Sequence, residues 1–116
     1  MKFKLIVTIV SDEKADDVLD AARKSGATGC TVITNARGEG LNPPKTFLGL
    51  TLTGQSDVVL TLVEEHMSQR ILEAIGEAGE FDGEPGSGVA FQVDIEDVIG
   101  LGSQIPTLRQ EIEDKI

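Results

Sequence analysis

The chain has 116 residues, enough for one domain with a real core but not for two. Ten Lys and Arg against twenty Asp and Glu give a formal net charge of −10 and a pI of about 4.4, a balance that repels phosphate backbones and anionic lipid and so argues against nucleic acid or membrane surfaces as partners. No run approaches the roughly 18–20 apolar residues of a membrane-spanning helix, and Met1-Lys2-Phe3-Lys4 lacks the apolar stretch of a signal peptide; no membrane insertion is expected, and the expected location is cytoplasmic. Aromatic residues make up only 3%, four Phe with no Trp or Tyr, so the core must be aliphatic. One cysteine, Cys30, excludes an intramolecular disulfide and cannot alone form a thiolate metal cage; within an apolar alternating segment it reads as a buried structural thiol.

From Lys2 to Val10 the chain is rich in Ile, Val, Leu and Phe, with Phe3, Leu5, Val7 and Ile9 on one face and Lys2, Lys4 and Thr8 on the other. This predicts a strand that buries the Phe3/Leu5/Val7/Ile9 face. Ser11 follows as an N-cap, with Asp12 and Glu13 in the favourable first turn. Ala15, Val18, Leu19 and Ala22 then recur at helical spacing until Gly26 stops the helix. Gly29–Ala36 is dense in β-branched residues and predicts a second strand. The Gly- and Pro-rich run from Arg37 to Thr46, with Pro43-Pro44, cannot continue a central strand and must be a loop, and the apolar Phe47–Thr53 extends its far side.

Asp57–Glu64 predicts another strand, and Met67, Ile71, Leu72, Ile75 and Ala78 a second amphipathic helix. Val89, Phe91, Val93 and Ile95 alternate as a last strand, with Val98 and Ile99 as its apolar continuation. Pro106–Ile116 carries Leu108, Ile112 and Ile116 at spacing four and predicts a short C-terminal helix with Pro106 in its first turn.

The order is βαββαβ with an excursion between strands 2 and 3: an α+β, ferredoxin-like domain over residues 1–101 with a C-terminal extension over 102–116. Right-handed crossovers put both helices on one face of an antiparallel sheet. The other face is expected to carry Ile6, Val10, Val59 and Val63, and covering those apolar side chains calls for homo-oligomerisation.

The stretch from Ala78 to Gly88 is where the chain looks least like scaffolding. Gly83, Gly86 and Gly88 permit positive φ and close backbone approach, so successive N–H groups can converge on an anion. With no Lys, Arg or His in the stretch, any cation must come from elsewhere in the fold or from another subunit. A plain surface turn joining helix to strand is the competing reading.

Several of these segments together resemble the PII signalling proteins of the nitrogen regulatory PII superfamily. Gly29-Cys30-Thr31-Val32 leading to Gly38-Glu39-Gly40 is similar to the family's second strand and the entry to its long T-loop. Gly86-Ser87-Gly88 followed by Phe91-x-Val93 resembles its phosphate-cradling B-loop. The resemblance implies a homotrimer with three inter-subunit clefts, each binding an adenine nucleotide between the T-loop base and the B-loop. It also implies that occupancy moves a T-loop that regulates enzymes, transcription factors or membrane transporters. Carried over by position, the ligand contacts are Thr31, Gly38 and Gly40 at the T-loop base, Val63 and Glu64 at a strand end, and Gly83, Gly86, Ser87 and Gly88 in the B-loop.

Val89 stands where the family has a basic residue after the B-loop glycines, and Gly100 and Gly102 fall near its pair of arginines. Fewer cations favour ADP or AMP over ATP as the effector. Arg37 is the only cation at the mouth of the T-loop; it either reaches a phosphate or is a solvated loop charge.

Glu64-Glu65-His66 could bind a divalent ion, but with no second His the helix-entry capping role is favoured and no metal is assigned. No catalytic constellation is visible, so the chain is not expected to be an enzyme. A CutA-type trimeric, metal-linked binding protein and, further off, an acylphosphatase-like enzyme are the rival readings.

Overall fold

The computed structural model describes residues 1–36, 46–47, 50–51 and 55–115. The elements are β1 (Phe3–Ser11), a 3-10 turn (Asp12–Lys14), α1 (Ala15–Lys24), β2 (Thr31–Ala36), β3 (Thr46–Phe47), β4 (Leu50–Thr51), β5 (Ser56–Glu64), α2 (Glu65–Gly79), β6 (Gly88–Ile95) and α3 (Ile105–Lys115). Four strands form an antiparallel sheet in the order β2-β5-β1-β6, while β3 and β4 pair with each other. This is the ferredoxin-like α+β arrangement.

Local chemistry sets the element ends. Gly26 adopts φ 119° and donates its N–H to the Arg23 carbonyl, closing α1 behind the cations Arg23 and Lys24, which suit a helix C-terminus. Asn35 takes φ 59°, a conformation its short polar side chain tolerates, and the β2–β5 register shifts between Ile33 and Ala36. β6 stops at Ile95, opposite Phe3, because β1 offers no further partner; the expected continuation through Val98 and Ile99 does not form, and Ile99 is fully exposed.

The helices cover the face opposite to the one expected. Ile6, Val10, Val59 and Val63 are at most 1% exposed and pack with Val18 of α1 and Met67, Ile71 and Ile75 of α2. Each such fully buried side chain contributes about 1.5–3 kcal/mol. Phe3, Leu5, Val7 and Ile9 instead lie on the open face and are only half-buried. Lys4 misled the alternation: it shares the helical face with Ile6 but sits at the sheet's end, opposite Asp94 of β6, with Nζ 3.5 Å from the Asp94 carboxylate. Thr8 and Thr61, polar by composition, are wholly buried on the same face, and Thr61 Oγ1 donates to Cys30 Sγ at 3.4 Å. Cys30 is thus half-buried against the core.

The open face is a lattice of aliphatic cross-strand pairs. Leu5, Val7 and Ile9 of β1 stand opposite Leu62, Leu60 and Val58 of β5 and opposite Val93, Phe91 and Val89 of β6. Phe91 is 40% and Val93 43% exposed, a continuous apolar surface of the kind that marks an interface. α3 docks on its own chain: Leu108 is buried, and the Thr28 hydroxyl donates to Gln104 Oε1 at 2.8 Å.

Candidate functional site

The glycine loop is held shut by its own backbone. Glu80 leaves α2 in the left-handed conformation (φ 56°), and its carbonyl accepts both the Glu84 N–H at 2.9 Å and the Ser87 hydroxyl at 3.0 Å. The Ser87 N–H donates to the Glu84 carbonyl, and the Ser87 carbonyl accepts the Ser11 N–H at 3.2 Å, which ties the loop to the end of β1. Ser87 is buried, so its hydroxyl serves the loop's shape rather than a ligand. Gly86 takes φ 80°. The amides of Glu80, Phe81, Glu84 and Ser87 all donate to backbone carbonyls, whereas those of Asp82, Gly83 and Gly86 have no backbone acceptor and are the donors an anion could use.

Lys14 is the residue that the sequence reading passed over. From the turn after β1 its ammonium meets the carboxylates of both Glu80 and Glu84. The hydrogen bond to Glu80, then that to Glu84, raises the Lys14 pKa, and the bond to Lys14 lowers that of Glu80. The signal was present but hidden: Lys14 closes the run Ser11-Asp12-Glu13-Lys14, which reads as acidic, and nothing local reveals carboxylates 66 and 70 residues away.

Beside the loop, an open groove of about 850 Å³ runs between α2 and β6. Leu72, Phe81 and Ala90 give it an apolar floor, and Glu73, Glu77, Glu80, Asp82 and Glu84 line it. Among the described residues no cationic side chain lines this groove. Of the expected B-loop residues Gly83, Gly88 and Val89 border it, in an acidic setting, while Gly86 and Ser87 do not line it.

The remaining expected contacts lie elsewhere. Arg37, Gly38 and Gly40 fall outside the described residues. The exit of β2 at Ala36 is at the same end of the sheet as the glycine loop, since Ala36 pairs with Ser56, Ser56 with Ser11 and Val10 with Gly88. Two strands separate them, roughly 14 Å at about 4.8 Å per strand. Thr31 pairs with Leu60 in mid-sheet and lines a second groove, of about 360 Å³, with Cys30 and Leu108. Val63 is buried among the helices, and Glu64 lies at the far end of β5, opposite Phe3. Glu64 and Gly88 are separated by the length of β1 from Phe3 to Val10, roughly 23 Å at about 3.3 Å per residue. A single chain does not gather these residues; a site using all of them needs a second copy.

Glu64 has a local role. Although only 2% exposed, it caps α2, one oxygen accepting the His66 N–H at 2.8 Å and the other lying 2.5 Å from His66 Nδ1. With Glu65 these groups could converge on an ion, their candidate ligand atoms lying within 4.8 Å of one another, but both Glu64 oxygens already serve His66. The hydrogen bond that His66 donates to Glu64, then the Glu64 charge, raises the His66 pKa above the ordinary 6.5. A raised folded-state pKa means that the His66–Glu64 interaction stabilises fully below pH about 6.5 and is lost as pH rises through the raised value. NMR titration is expected to show a His66 midpoint above the ordinary one. Glu64→Gln should return that midpoint toward the ordinary value and, by weakening the cap, lower stability by about 1 kcal/mol in denaturant melts. An unchanged midpoint in the variant would refute the pairing.

The sheet order, the two helices on one face and the clasped glycine loop before the last strand define a ferredoxin-like domain with an open, largely aliphatic sheet face. The chain matches the family described as Nitrogen regulatory protein P-II over residues 3–104, and it belongs to that family, which is one of signalling proteins. No curated protein matched the sequence.

Among solved structures, a PII-like signalling protein from Thermus thermophilus is similar at 23% identity and TM-score 0.60, over 82% of this chain and 87% of that one. CPII from Thiomonas intermedia, a nitrogen regulatory PII-like protein solved with ADP, AMP and bicarbonate, is similar at 21% identity and TM-score 0.63, over 82% of this chain and 87% of that one. Its apo form is similar at 22% identity and TM-score 0.62, over 82% and 90%. These likenesses establish the fold. Among the described residues no helix is long and apolar enough to cross a membrane.

Proposed function

We propose that this chain is a PII-like sensor, forming homotrimers whose inter-subunit clefts bind an adenine nucleotide, ADP or AMP in preference to ATP. Occupancy then regulates a protein partner, such as a membrane transporter, through the segment between β2 and β5. The observation that carries the reading is the clasped glycine loop: the amides of Asp82, Gly83 and Gly86 have no backbone acceptor, and the loop lies at the sheet end where β2 exits.

Charge sets the preference among nucleotides. Lys14 is engaged by Glu80 and Glu84, and five carboxylates line the adjoining groove, so each added phosphate meets repulsion that backbone amides alone offset poorly. A neighbouring copy must supply Thr31, Val63 and Glu64 if they take part, because in one chain Glu64 is a strand's length from the loop. That CPII, of the same fold, is solved with ADP and AMP supports the ligand class.

Thermal melting with AMP, ADP, ATP and bicarbonate tests the reading. A nucleotide at about a hundred times its Kd stabilises by about 2.7 kcal/mol, a rise of several degrees. ADP and AMP are expected to raise the melting temperature more than ATP; silence toward every nucleotide would sink the proposal.

A further inference from the structure

We propose that Lys14 is a positioning residue for the glycine loop and that the turn carrying it, residues 11–14, passes the state of that loop to the start of β5, an inference that rests on the loop being the ligand site. Three contacts make the turn a junction. The Lys14 ammonium holds the carboxylates of Glu80 and Glu84, the same two residues whose carbonyls clasp Ser87. The Ser11 N–H donates to the Ser87 carbonyl at 3.2 Å. On its other side the Asp12 N–H donates to the Gln55 carbonyl at 3.1 Å, where the chain enters β5 after the segment that follows β2.

Charge explains why Lys14 matters more here than an ordinary surface ion pair. Glu80 and Glu84 are four residues apart, and with no cation between them their like charges would push the corner of the loop open. The Lys14 side chain, only 18% exposed, opposes both at once and so holds closed a corner that repulsion would otherwise spread. The loop, the 11–14 turn and Gln55 thus form one contiguous bonded path from the amides that face a ligand to the foot of β5. A ligand that orders the loop orders the turn, and loosening the loop loosens the turn.

Amide hydrogen exchange of the full chain, followed by NMR, tests this without any ligand. Glu84→Gln is expected to speed exchange of the Asp12 amide by at least about fivefold, although Glu84 bonds to Lys14 and Asp12 to Gln55. Lys14→Met should speed Asp12, Glu84 and Ser87 together, and Lys14→Arg should restore them. The amides of Ile71 and Ile75 in α2 should keep wild-type protection, which separates the effect from unfolding. Glu84→Gln decides the matter if Lys14→Met fails to fold. Glu77→Gln removes a carboxylate that lines the same groove but is not held by Lys14, and should leave Asp12 unchanged. With ADP added, the wild-type Asp12 amide should slow, and Lys14→Met should lose that response. An Asp12 amide indifferent to Glu84→Gln, or equally quickened by Glu77→Gln, would overturn the proposal. Silence toward ADP in a wild type whose Asp12 still answers Glu84→Gln would remove the nucleotide and leave the coupling demonstrated.

Discussion

Val7→Asp is expected to sediment as a single folded chain, whereas the wild type sediments as an assembly. Val7 is at the centre of the bare face, with Leu60 of β5 on one side and Phe91 of β6 on the other. In an isolated chain its side chain borders solvent, so a carboxylate there costs the fold little. In an assembly that covers this face, the same carboxylate is buried without a partner in every copy, at several kcal/mol each. A loss of about 4 kcal/mol weakens association roughly a thousandfold, enough to dissociate the assembly at micromolar concentration. The matched control is Gln69→Asp, at an exposed position of α2 on the other side of the sheet, which should leave the sedimentation unchanged. Wild type sedimenting as one chain, or Val7→Asp remaining assembled, would refute the covered face and with it the inter-subunit cleft that the nucleotide reading requires.

How much of this was legible beforehand depended on whether a residue's environment was local. Element order was legible because β-branched runs and helical spacing are local, and βαββαβ admits few right-handed arrangements. The choice of face was not. β1 and β5 are apolar on both sides, and the polar markers Lys4 and Thr8 point away from the true answer: Lys4 escapes at the sheet's end to Asp94, and Thr8 is fully buried. The expectation of a covered face passes, with that inversion, from Ile6, Val10, Val59 and Val63 to Leu5, Val7 and Ile9, because both faces of the sheet carry aliphatic side chains. At the site, the glycines announced a special loop, yet Ser87's role as its internal clasp and the Lys14 bridge to Glu80 and Glu84 depend on contacts across the fold. The cap at Glu64 was readable because donor and acceptor are two residues apart. The expected contacts Arg37, Gly38 and Gly40 lie outside the described residues, so the T-loop half of the site rests on the resemblance.

The glycines flanking Phe81 should respond differently to the same added methyl group. A Cβ on Gly79, the last residue of α2, would stand 2.7 Å from Phe81 Cδ1, and its three nearest atoms all belong to that one ring. A Cβ on Gly88, the first residue of β6, would meet the same ring at 2.8 Å from Cζ and also the Ile9 carbonyl oxygen at 2.7 Å, which is backbone of the central strand and cannot swing away. Both single Ala substitutions are therefore expected to destabilise, by about 1–3 kcal/mol, with Gly88→Ala the worse. In a Phe81→Ala background the outcomes separate. Gly79→Ala becomes neutral or stabilising, because the clash is gone and Ala is preferred over Gly in a helix by about 1 kcal/mol. Gly88→Ala stays destabilising, because the Ile9 carbonyl remains. The double-mutant cycle, read from denaturant melts, thus gives a large coupling for Gly79 with Phe81 and a smaller one for Gly88 with Phe81. Equal couplings would mean that the strand contact at Ile9 does not restrict Gly88. Because Gly88→Ala also displaces the Ser11–Ser87 tie next to it, the nucleotide-induced rise in melting temperature should fall in that variant and persist in Gly79→Ala/Phe81→Ala.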